Sequence, residues 1–97
     1  MMKEELFARL EELHQLELDL IKRKNADYAS EQDPFLNFRM FGEYGFLVRI
    51  SDKLSRVTQI VKSGETNVKD ESVVDTLMDL SNYSNLLIAY LEDNKKK

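Results

Sequence analysis

A chain of 97 residues with a formal charge of −4, no cysteine, three glycines and one proline bounds a single domain with one modest core. The lack of cysteine excludes a disulfide framework, a thiolate metal site and a thiol nucleophile, and the acidic balance argues against a general nucleic-acid groove. Abundant Leu, Glu, Lys and Asp with so few breakers predict an all-α fold: a small bundle of three long helices plus a short helix near 34–41. No apolar run approaches the roughly 20 residues of a membrane helix, and Met1-Met2-Lys3-Glu4-Glu5 has no signal-peptide pattern, so the expected setting is the cytoplasm.

The first helix is expected over residues 3–25. Leu6, Leu10, Leu13, Leu16 or Glu17, and Leu20 form its stripe, widened by Phe7, Leu18 and Ile21. Glu4 and Glu5 in the first turn, and Lys22, Arg23 and Lys24 in the last, suit the helix dipole, with Asn25 as the stop. His14 has no second histidine or cysteine to share a metal with, and reads as a surface or boundary residue.

Residues 25–42 are the least regular. Asp33 as N-cap and Pro34 in the first turn predict the short helix, which should stop near Gly42. Five aromatics crowd this region: Tyr28, Phe35, Phe38, Phe41 and Tyr44. They read either as staples fixing a loop to the core, or as a base pocket with Asn37 or Asp27 bonding the base edge or sugar.

The next helix is expected over 43–62, with Leu47, Ile50, Leu54, Val57 and Val61 at heptad-like steps and Arg49, Asp52, Arg56 and Gln59 on the other side. A polar turn over 62–67 suits an antiparallel helix pair. Asp70 should cap the last helix, which runs to Asp93 with the stripe Val73, Leu77, Leu80, Ser84, Leu87 and Leu91. Glu71, Asp75, Asp79 and Asn82 fall opposite that stripe. Like charges one turn apart repel by a few tenths of a kcal/mol, about 0.2–0.5 per pair, so three acids without an intervening base point to a cation nearby. A plainer reading pairs Asp52 with Arg49 or Arg56, and Asp75 or Asp79 with Lys53. Leu86 and Ala89 share the acidic side, which implies a second packing partner such as another subunit, and a bundle completed by oligomerisation.

Four strings in order carry a family resemblance: Lys24-Asn25-x-Asp27-Tyr28-Ala29, Asp33-Pro34-Phe35-x-Asn37-Phe38, Arg49-x-x-Asp52-Lys53-Leu54-x-Arg56, and Asp70-Glu71-Ser72-x-x-Asp75-Thr76-Leu77-x-Asp79-Leu80-x-Asn82-Tyr83. Together they resemble the phage-associated nucleotide modification associated domain, type one, over about residues 20–92. That family in turn looks like a relative of the all-α MazG-type nucleoside triphosphate pyrophosphohydrolases. The resemblance implies helical subunits that dimerise, a magnesium site of carboxylates from two helices, and cleavage of a nucleotide to monophosphate and pyrophosphate. Mapped here, Asp52, Glu71 and Asp75 would be catalytic and ligate Mg2+, with Asp79 supporting. Arg49, Lys53 and Arg56 would hold phosphates, and Asp27, Tyr28, Asn37, Phe38 and Asn82 would line the nucleoside site. If the chain is phage-encoded, the setting is the host cytoplasm. The alternative is a non-catalytic module that binds or sequesters a nucleotide, or docks onto a base-modifying enzyme. With no Walker-type loop and no nucleophile elbow, neither phosphate-loop nor serine-hydrolase chemistry is expected.

Overall fold

A computed structural model of the chain describes residues 1–28, 35–64 and 71–95. Helix α1 spans Lys3–Tyr28, a 3-10 turn spans Leu36–Phe38, α2 spans Glu43–Ser63 and α3 spans Glu71–Lys95. The all-α architecture is as expected, and the short helix near 34–41 takes the form of the three-residue 3-10 turn. Asp33, Pro34 and Asp70, the expected caps, lie outside the described residues.

Helix α1 does not stop at Asn25 but continues to Tyr28. Asn ends a helix by adopting the left-handed conformation, and among the described residues no residue other than glycine has a positive φ. Lys22, Arg23 and Lys24 therefore sit a turn inside the helix rather than at its end. At the close of α2 the left-handed conformation is taken by Gly64 (φ 75°), whose N–H donates to the Val61 carbonyl oxygen at 3.2 Å.

Helix α3 lies against both other helices. Its contact with α2 is aromatic: Phe46 is fully buried, with Phe35 and Tyr90 also buried, and Phe38, Leu86 and Leu87 pack around them. Phe38 stacks on Phe46 at 4.0 Å between ring centroids, and Phe35 meets Tyr90 edge-on at 5.5 Å. The Arg39 guanidinium lies 6.0 Å from the ring centres of both Phe35 and Tyr90 and pairs with Asp93 at 3.6 Å. Phe35 and Phe38 thus act as staples, while Phe41 and Tyr44 are exposed.

Both helix stripes are rotated from the expected ones. On α2 the inward row is Phe46, Ile50, Lys53, Val57 and Ile60, leaving Leu47, Leu54 and Val61 about half exposed. On α3 Thr76, Tyr83 and Tyr90 turn inward, as do Asp79 and Asn82, whereas Leu77, Ser84 and Leu91 turn out. Aromatic rings offer more contact area than leucine, and the helices turn to bury them, α2 only part of the way round, since Ile50 and Val57 stay on its inward row. The second apolar side of α3 has its partner within the chain. Leu86 belongs to the core and to the seam with α1, so it carries no argument for another subunit, and Ala89 is exposed.

Candidate functional site

An acid on an inward helix row is costly unless a cation neutralises it. Asp79, with 16% of its side chain exposed, is met by two. Lys24 of α1 donates to Oδ1 at 2.9 Å, and Lys53 of α2 reaches Oδ2 at 3.2 Å. All three helices converge on this one carboxylate. Lys53 gets there because it stands seven residues from both Phe46 and Ile60, on the row that α2 buries. Lys24 gets there because α1 continues past it and holds it in a regular helix facing α3. Burial pushes the Asp79 carboxyl up, but the hydrogen bonds and charges of Lys24 and Lys53 outweigh it, and the carboxyl ends below the ordinary carboxylate value. The cluster carries two ammonium groups and one carboxylate, a net charge of about +1.

A carboxyl pKa lowered by folding stabilises the fold above the unfolded carboxylate value, and that contribution is lost as pH falls through the folded value. Asp79→Asn is therefore expected to cost about 1–2 kcal/mol at pH 7, a modest figure because Lys24 is 42% exposed and screened. The difference should shrink in urea unfolding as pH falls below the ordinary carboxylate value of 3.8 and through the lowered value of the folded state. A gap unchanged down to pH 2 would show that Asp79 stabilises the fold by some other means.

One turn along the α1/α3 seam lies a second polar contact. Ser81 Oγ donates to Glu17 Oε2 at 2.9 Å, and Asn82 Nδ2 donates to the Glu17 carbonyl oxygen at 3.2 Å. Beside it opens a cleft of about 380 Å³. Its polar lining is His14, Glu17, Asn82 and Asn85, and its apolar lining is Leu18, Ile21 and Leu86.

Of the residues expected in a site, the structure gathers Lys53 and Asp79 and buries Asn82 one turn away. Arg49 and Arg56 are exposed on the turns flanking Lys53, extending a basic row along α2. Asp52 and Asp75 are exposed, and Phe38 stacks within the aromatic cluster. The side chains of Asp27, Tyr28, Asn37 and Glu71 lie outside the described residues. Among the described residues no three acidic or histidine side chains come together as a metal-ligand group. Lys24 and Glu17 were read from the sequence as helix-end and stripe residues, and Ser81 not at all; none of the three was expected in the site. The usable signal was the acidic row without an intervening base, which pointed to a cation nearby and, in its plainer reading, to a pairing of Asp75 or Asp79 with Lys53.

Residues 24–91 match the family model described as nucleotide modification associated domain 1, a span that includes all three members of the Asp79 cluster. No curated protein and no solved structure matches the chain.

Proposed function

The chain belongs to the nucleotide modification associated domain 1 family, and from that premise we propose that it binds a nucleotide whose phosphates sit on Lys24 and Lys53. The observation that carries this reading is the convergence of two lysines from separate helices on one carboxylate. Asp79 fixes both ammonium groups while leaving each with further N–H donors, and the excess positive charge suits a phosphate. Arg49 and Arg56, on the flanking turns, extend the basic row for a longer phosphate chain.

The finer reading is a magnesium-dependent nucleoside triphosphate pyrophosphohydrolase like the MazG-type enzymes. In it, Glu71, Asp75 and Asp52 are the acids that hold Mg2+ together with substrate oxygens, and the ion supplies charge neutralisation at the phosphates. Asp79, already engaged by two ammonium groups, is assigned to holding them rather than to the ion. Binding and pyrophosphate release measured over the four deoxynucleoside triphosphates with Mg2+ separate the readings. Turnover supports the enzyme. Binding without turnover leaves the nucleotide-sequestering or docking module. No binding at all removes both.

If there is turnover, Asp75→Asn is expected to abolish it while leaving the melting temperature unchanged or slightly raised. Asp75 is exposed and stands one turn from Glu71, so its neutralisation relieves repulsion of about 0.2–0.5 kcal/mol with that residue. A collapse in melting temperature would make this acid structural instead.

The partner in assembly is proposed to be a second copy. Lys53 and Asp79 mark the side of the α2/α3 pair that faces α1. On both helices the exposed aliphatic residues lie well round from those two: Leu47, Leu54 and Val61 of α2 at about 80–120° from Lys53, and Leu77 and Leu91 of α3 at about 120–160° from Asp79. These are 40–56% exposed and spaced by seven or fourteen residues, the pattern of a helix-pair seam. Two such pairs packed face to face make a four-helix bundle. Light scattering is expected to give about twice the 11.4 kDa chain mass, and Leu54→Lys to return it to the monomer. A wild-type monomer at 100 µM, an order-of-magnitude working concentration, would overturn this assignment.

A further inference from the structure

We infer that the cleft between α1 and α3 takes the nucleobase of the bound nucleotide, an assignment that rests on the phosphate reading of Lys24 and Lys53. Position along the helices comes first. Ile21 precedes Lys24 by one turn and Asn82 follows Asp79 by one turn, so the cleft opens beside the lysine cluster on the same seam. A ligand with phosphates on the lysines and about two helical turns of reach, roughly 10 Å, ends near Glu17 and Asn85.

Size and chemistry agree. A cleft of about 380 Å³ falls at the small end of the range for ligand pockets, about 300–1,000 Å³. Leu18, Ile21 and Leu86 offer apolar surface for ring faces. Glu17 gives one carboxylate oxygen to Ser81 and retains acceptor capacity, Asn82 uses one amide hydrogen on the Glu17 carbonyl oxygen, and Asn85 brings a second amide. Carboxylate and amide oxygens at one place suit the N–H edge of a base. The ligand class is accordingly a nucleoside 5′-phosphate, with the base recognised by α1 and α3 and the phosphate by Lys24 and Lys53.

The experiment uses the full chain, with deoxynucleoside monophosphates and inorganic pyrophosphate as probes. His14 is the only histidine, so its ring resonances in an NMR spectrum report on the cleft alone. They are expected to move on addition of at least one of dAMP, dCMP, dGMP or dTMP, and to stay in place with pyrophosphate. Leu18→Trp, at a residue 45% exposed, fills the cleft. It is expected to weaken that monophosphate's binding at least about tenfold, a loss of roughly 1.4 kcal/mol, while pyrophosphate binds as before. Retained pyrophosphate binding shows that the variant is folded, and Asn85→Leu, also exposed, serves as the second variant. Monophosphates that bind both variants as tightly as wild type, with His14 unmoved, overturn the base assignment and leave the lysine reading standing. If neither probe binds the wild-type protein, both fall.

Discussion

Replacing Lys24 and Lys53 together by glutamine is expected to lower nucleotide affinity by about a hundredfold while the helices stay folded. Each lysine can give a phosphate one charge-assisted hydrogen bond, worth about 1.5–3 kcal/mol, and each 1.4 kcal/mol is a factor of ten in affinity. Two such bonds, discounted because Lys24 is 42% exposed, account for a loss of about 3 kcal/mol. Glutamine keeps an N–H donor for Asp79, so the inward carboxylate retains hydrogen bonding, and the stability cost should stay within about 2 kcal/mol. The measurement is calorimetric titration with a deoxynucleoside triphosphate, followed by the same titration at raised salt. Wild-type affinity should fall with ionic strength more steeply than that of the double variant. An unchanged affinity in the double variant would place the phosphates elsewhere, with the exposed row of Arg49 and Arg56 the next candidates.

The second large effect concerns the fold. Phe46→Ala is expected to cost about 3–5 kcal/mol, a large share of the roughly 5–15 kcal/mol that stabilises a domain. Phe46 is fully buried, stacked on Phe38 at 4.0 Å and 5.2 Å from Tyr90. Removing its ring opens a cavity where α2, α3 and the 3-10 turn meet. At about 4–8 °C per kcal/mol, the melting temperature should drop by roughly 12–40 °C, enough to unfold the chain under ordinary conditions. Leu47→Ala, one residue on, should cost under about 1 kcal/mol in dilute solution because Leu47 is 47% exposed. The heptad pattern in the sequence ranks these two the other way. Equal losses for both variants would show that α2 packs on its leucine row after all.

Much of the fold was legible in the residues because helix formation is local. Three long runs with few breakers, and a glycine at the end of α2, set the number and approximate bounds of the helices. The membership read from four short strings also holds, since it is a property of residue order. Rotation of each helix about its axis was less legible. Leucines at heptad spacing define a stripe, but Phe46, Tyr83 and Tyr90 sit one residue from it and bring larger surfaces to bury.

That rotation decides the chemistry of the acidic row. In the sequence alone Asp75 and Asp79 are equivalent, one turn apart on one face. In the folded chain Asp75 is exposed and Asp79 lies inward between two lysines. One of those lysines comes from 55 residues away, from a helix end that local signals placed three residues too early. The chain by itself determined that this is an all-α member of its family. Only tertiary packing decided which acid meets which base, because a buried charge takes whatever counter-charge the neighbouring helices bring within about 3 Å, and no helical period in one segment encodes the phase of another.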